Sequence, residues 1–189
     1  QSLLKEPNVS KTSIAVIILA ALSLVFIRYL TRLDDLISFL DLMHLSYWGD
    51  VLTDLRNNAK DKQLFDLIYW TVCRVFFYLI IPMLAIKYFL KKKISDFGWK
   101  MSNSLSTDVK IFMGFFCFML PLVYLVSTQD SFLIKYPFYR PATANDIYPN
   151  LIIWELFYFI QFVSLEFFFR GFVVHGLKDE IGDYSVLFM

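Results

Sequence analysis

Residues 150–171 read NLIIWELFYFIQFVSLEFFFRG, a run apolar and aromatic enough to cross a bilayer that nevertheless carries Glu155, Glu166 and Arg170. An acid or base in the middle of a membrane helix costs roughly 2.5 to 3.5 kcal/mol on insertion scales, so such residues tend to be paired, turned inward and functional. The stretch points to a helical membrane protein and to the place in it where chemistry should be sought.

The rest of the chain agrees. Hydrophobic residues make up 58% and aromatic residues 19%, with 21 Phe against only 6 Gly, and the mean hydropathy is +0.55. That balance excludes a soluble domain with one buried core. The formal net charge is +1. Its charges lie mostly between the apolar blocks and nearly cancel, so no global field draws nucleic acid, and nucleic-acid binding is excluded. Cys73 and Cys117 both fall inside apolar blocks, where a cysteine acts as a small space-filling hydrophobe.

Four blocks have the length and composition of membrane helices. Residues 13–30 are continuous up to Arg28; with Lys5 and Lys11 ahead of them they read as an uncleaved signal anchor. Residues 64–90 contain Asp66, Arg74 and a kink-compatible Pro82, and end in Lys91, Lys92 and Lys93 at an interface. Asp66 and Arg74 are about 80° apart around a helix, able to share a polar sector but not to touch. Arg74 reads as a snorkelling or interhelical residue, with a place beside a site as the alternative. Residues 111–126 hold Pro121 and read as a packing helix. The fourth block starts at Pro149, with Asp146 and Asn150 as polar residues at its head, and is expected to reach Gly176 before a polar turn, KDEIGD. A fifth apolar run begins at Tyr184, so the sequence reads as the front of a longer protein. The expected fold is an all-α polytopic transmembrane helix bundle, four spans plus the start of a fifth. Residues 1–63 form an anchor with a surface segment, and residues 64–189 form the first part of the helical domain.

Between the first two blocks, Leu33, Leu36, Ile37, Leu40 and Met43 recur at helical spacing, which predicts an amphipathic surface helix. His44 belongs to that stretch and, lacking companions at ligand spacing, reads as an ordinary surface residue. The prolines and tyrosines between the third and fourth blocks suit an irregular interfacial loop. Lys87, Lys91, Lys92, Lys93, Lys100 and Lys110 surround the connection between blocks two and three, against Lys135 and Arg140 in the next, so the former is expected to be cytoplasmic and the N-terminus with it.

Glu155 and Glu166 are eleven residues apart, three turns plus about 20°, and Arg170 lies within about 40° of Glu166, on one stripe with Phe159 and Phe162. A Glu and an Arg at this i, i+4 spacing can form a charge-assisted pair that fixes the carboxylate. Such a carboxylate suits activation of water equally as it suits a structural link between helices.

The residues from Leu165 to Phe172, LEFFFRGF, resemble the first motif of the CAAX protease and bacteriocin-processing family of intramembrane proteases, a Glu-Glu pair followed by three residues, Arg and usually Gly. The basic cluster leading to Asp96-Phe97-Gly98-Trp99, and Tyr136-Pro137-Phe138-Tyr139-Arg140 before the motif helix, are similar to the family as well. The resemblance covers the last two thirds of the chain. It implies a multi-helical endopeptidase, in a bacterial plasma membrane, that cleaves membrane-associated peptide or protein substrates with water activated by glutamate and histidine. Glu166 and Arg170 are then the candidate catalytic residues, with Arg170 supporting the carboxylate. The family has been described both with and without a divalent metal, so the cofactor stays open. Two departures stand out. Leu165 occupies the position of the family's first Glu, and the family's histidine motifs would fall beyond Met189, so this stretch alone is expected to be inactive. His175, nine residues and about 180° from Glu166, is expected at the interface and not in the site. Two other readings accompany the peptidase: a non-catalytic relative such as a bacteriocin self-immunity or scaffold protein, and a small transporter using Glu155, Glu166 and Arg74.

Overall fold

The computed structural model describes residues 10–99, 105–141, 143 and 147–188. Lys5, Lys100 and Asp146, invoked above, lie outside the described residues. Every regular element among the described residues is helical, and four helices are long and apolar enough to cross a membrane: Lys11–Leu30, Lys62–Phe89, Ser106–Ser127 and Asn150–Ile181. The protein is all-α and has the spans of an integral membrane protein. It forms two compact units, residues 1–99 with 152–189 and residues 100–151. The expected boundary at residue 63 falls inside the first unit.

In the first unit, helix α1 (Lys11–Leu30) begins at Ser10, whose hydroxyl accepts the N–H of Ser13 at 3.2 Å, satisfying one of the open donors of the first turn. Its inward stripe is made of Ser13, Val16, Ala20, Ser23 and Ile27, while Ile14, Ile17, Leu22 and Val25 face outward. Helices in lipid gain little from burying apolar surface, so small residues that allow close backbone approach do the packing. Gly176 completes this contact, since a Cβ there would stand 2.6 Å from Cγ2 of Val16.

Two helices follow, α2 (Leu33–Leu42) and α3 (Ser46–Asn58). The amphipathic segment is thus broken after Met43, and His44 forms the turn in the left-handed region with φ 58. α4 (Lys62–Phe89) starts at Asp61, which accepts the Leu64 N–H at 3.0 Å. Asp66 pairs with Arg56 of α3 at 2.5 Å, and Arg56 also reaches Asp34 of α2 at 2.9 Å, so one guanidinium ties three helices together. Pro82 stands between two segments of wider i→i+5 hydrogen bonding, Phe76–Ile80 and Ala85–Phe89, an adjustment that accommodates the missing N–H within a continuous helix. The helix ends with Lys91 in the left-handed region, φ 53, and the Lys92 N–H returns to the carbonyl of Ile86 at 3.0 Å, one residue wider than a Schellman cap, as the i→i+5 bonding before it requires.

The second unit holds α5 (Leu105–Ser127), which contains Pro121 and is longer than the expected 111–126, and a short helix α6 (Asp130–Lys135) where an irregular loop was expected. Arg140 closes α6 by donating to the carbonyls of Leu133 and Ile134, both at 2.8 Å.

The last long helix, α7 (Asn150–Ile181), starts directly after Pro149 and continues through Gly176 and Lys178-Asp179-Glu180 to Gly182. The polar turn expected at residues 178–183 is therefore mostly helix. Its acids are engaged: Asp179 faces Lys92 at 3.7 Å and Glu180 accepts the Ser10 N–H at 2.6 Å. The core of the first unit is aromatic. Tyr78 of α4 meets Phe168 with ring centroids 4.9 Å apart, and Phe168 and Phe172 pack with Phe97, Ile86 and Val16.

Candidate functional site

The site is built on the middle of α7, where Phe167–Val173 adopt i→i+5 bonding. Such an insertion adds one residue to a turn and is often found at functional positions. Glu166 lies on the last α turn before it and Arg170 within it. Arg170 Nε and Glu166 Oε2 are 2.9 Å apart, with the arginine side chain 67% and the carboxylate 34% exposed. The expected i, i+4 pair forms, and it lies at a surface of this unit.

Opposite the pair is the turn after the basic cluster. Ile94–Phe97 make one short 3₁₀ helix, which Gly98 ends at φ 82. Phe97 stacks on Phe172 at 6.2 Å, and Trp99 meets Phe167 edge-on at 5.2 Å. Gly171 allows the approach, because a Cβ there would stand 2.9 Å from the Phe97 carbonyl oxygen. Between turn and helix lies a recess of ≈ 260 Å³ lined by Phe97, Gly98, Trp99, Val163, Glu166, Phe167, Arg170, Gly171 and His175. It lies just past Lys91, Lys92 and Lys93, at the end of the span where the chain meets the interface.

His175 is the correction that matters most. A uniform helix puts it half a turn away from Glu166, yet both line the same recess. The inserted residue supplies the reason: nine residues then advance like eight, leaving an offset of about 80° in place of 180°. Its Nδ1 is 2.7 Å from the Arg170 carbonyl. A carbonyl only accepts, so Nδ1 carries the proton and Nε2 is left as an acceptor. The ring rests on Gly98, where a Cβ would stand 2.8 Å from Cε1. The nearest sign of this wall in the sequence was the Phe97-Gly98-Trp99 run itself.

Other charged residues go elsewhere. Glu155 is exposed and, among the described residues, has no ion-pair or hydrogen-bond partner, as its stripe-mates Phe159 and Phe162 are exposed too. Arg74 holds its guanidinium 4.0 Å from the Trp70 ring centre, and Trp70 faces Trp154 of α7 at 6.4 Å. The Arg74 contact is thus within α4, with Trp70 carrying the contact to α7, and neither residue lines the recess of Glu166. Leu165 packs against the aromatic core. No group of three or more His, Cys, Asp or Glu side chains is placed to hold a metal ion among the described residues. Glu166 and His175 alone do not make up the set of ligands a catalytic divalent ion takes.

Compared with known protein families, with curated proteins and with solved structures, the chain finds no match.

Proposed function

We propose that the chain belongs to a membrane-embedded endopeptidase of the CAAX-processing type, acting on membrane-proximal peptides from a bacterial plasma membrane with its N-terminus in the cytoplasm. The observation that carries the reading is the Glu166–Arg170 pair at 2.9 Å opening on a recess that His175 shares. In this reading Glu166 takes a proton from water as the oxygen adds to the peptide carbonyl, and returns it to the leaving amine nitrogen. Arg170 holds the carboxylate in one rotamer through their 2.9 Å pair. Arg170 is the donor available to the developing oxyanion, and Nε2 of His175, an acceptor, can orient the water by accepting from it.

The test is cleavage of a membrane-anchored reporter by the protein in its native length. Glu166→Ala and Arg170→Ala should each lower the rate by at least about 100-fold, the range of general acid–base contributions, with the folded protein still recovered. Normal cleavage by both variants refutes the assignment. One observation favours a second reading, a non-catalytic immunity or scaffold protein: Leu165, at the position of the family's first Glu, is committed to the core. That reading is supported if the wild-type protein cleaves no reporter while the Glu166–Arg170 pair is still needed for folding.

A further inference from the structure

A second concavity lies between the start of α1 and the end of α4. It encloses ≈ 820 Å³ and is lined by Lys11, Thr12, Ile14, Ala15, Ile18, Leu19, Ala85, Phe89 and Leu90. That volume is within the range of pockets that hold a molecule of several tens of atoms. The room comes from two small side chains, Ala15 and Ala85, where the helices would otherwise interlock. Its walls are aliphatic along α1, and its only charged lining residue, Lys11, sits in the first turn with Thr12 beside it.

Lys11 adds a cation to a helix N-terminus, where the open N–H groups already favour an anion and a lysine is unfavourable. The chain leaves the groove at Leu90 and passes directly into Lys91, Lys92 and Lys93. The acids on hand are engaged, Asp179 facing Lys92 and Glu180 capping the Ser10 N–H. Lys11, Lys91 and Lys93 have no ion-pair partner among the described residues.

We infer that this groove is a binding site for one anionic phospholipid, its acyl chain lying along Ile14, Ile18 and Ala85 and its phosphate held by Lys11 and the lysines after Leu90. An apolar slot with a cationic mouth at the interface matches both halves of such a molecule, and each lysine near a membrane surface contributes about fivefold to anionic-lipid affinity. A zwitterionic lipid fits the slot equally well and gains far less at the mouth.

The test is native mass spectrometry of the full chain released from micelles containing equal phosphatidylglycerol and phosphatidylcholine. Wild-type protein should retain one phosphatidylglycerol in preference to phosphatidylcholine. Lys11→Gln, an exposed change that leaves the helix intact, should lower that preference about fivefold, and Lys135→Gln, in the other connection, should leave it unchanged. Ala15→Phe, filling the slot, should remove retained lipid of both kinds while the helical circular dichroism is unchanged. Equal retention of the two lipids by wild type, or wild-type retention by Ala15→Phe, overturns the proposal. So does a mass of two chains without lipid, which would assign the groove to a second copy.

Discussion

Gly98→Ala tests the construction of the recess from both of its walls. Gly98 has φ 82, in the left-handed region, where an L residue costs about 1 to 2 kcal/mol more than glycine. The new Cβ would also stand 2.8 Å from His175 Cε1, closer than carbon atoms approach, so the imidazole must turn aside. That breaks its 2.7 Å hydrogen bond to the Arg170 carbonyl, worth about 0.5 to 1.5 kcal/mol net. The sum is a destabilisation of about 1.5 to 3.5 kcal/mol. The two contributions are separable. In a His175→Ala background the clash and the hydrogen bond are already gone, and Gly98→Ala should cost only its backbone share. A double-mutant cycle should therefore show a coupling of about 1 kcal/mol, read by equilibrium unfolding in detergent micelles with tryptophan fluorescence, to which Trp99 at the rim contributes. Strict additivity of the two changes would refute the packing of His175 on Gly98, and with it the placement of His175 in the recess.

Gly176→Ala places a Cβ 2.6 Å from Val16 Cγ2 and should destabilise the protein by about 1 to 3 kcal/mol as an overpacked contact; Val16→Ala should restore most of the loss, measured by thermal unfolding in micelles. Arg56→Gln removes the partner of Asp66 while the other carboxylate oxygen of Asp66 is already buried without one, and the loss should be about 1 to 3 kcal/mol by the same assay. The hydrogen bond to Asp66 raises Arg56 above the ordinary arginine value, against the opposing effect of burial. A group raised in the folded state contributes fully below its unfolded value and loses that contribution only as pH climbs through the folded one, so the difference between wild type and Arg56→Gln should stay constant between about pH 7 and pH 10. Leu165→Glu should destabilise by about 1 to 3 kcal/mol by setting a carboxylate against the aromatic core, and should not raise reporter cleavage; a stable variant with higher cleavage would show that position 165 reaches the recess.

The spans were legible because hydropathy needs no partner to be read. A block such as residues 13–30 has the length and hydropathy of a membrane helix whatever surrounds it, and the i, i+4 pair of Glu166 and Arg170 is local geometry that any regular helix enforces. What the sequence hid depends on other parts of the chain. The acids of α7 look like a turn until Lys92 and the Ser10 N–H are found to engage them. Asp66 looks for a cation on its own helix, whereas its partner Arg56 lies ten residues back, across the α3–α4 junction. His44 fits the apolar period of α2 well enough that nothing in the pattern announces the left-handed turn it makes.

The inserted residue in α7 has the widest consequence, because it changes which side chains share a face. Helical-wheel arithmetic assumes 100° per residue throughout, and it fails where an i→i+5 segment lies between the residues compared. Glu155 and Glu166 both precede the insertion, so their relation is the regular one. His175 follows it, and its offset from Glu166 shrinks enough to reach the recess. Leu165 and Glu166 precede it as neighbours about 100° apart, so one meets the core and the other the recess. In this register one carboxylate, one guanidinium and one imidazole face the recess, and a second carboxylate at position 165 would face Phe and Tyr side chains. In the proposed peptidase reading, the part of the site held by the described residues therefore rests on the single carboxylate of Glu166 and on the i→i+5 turns that bring His175 round to it.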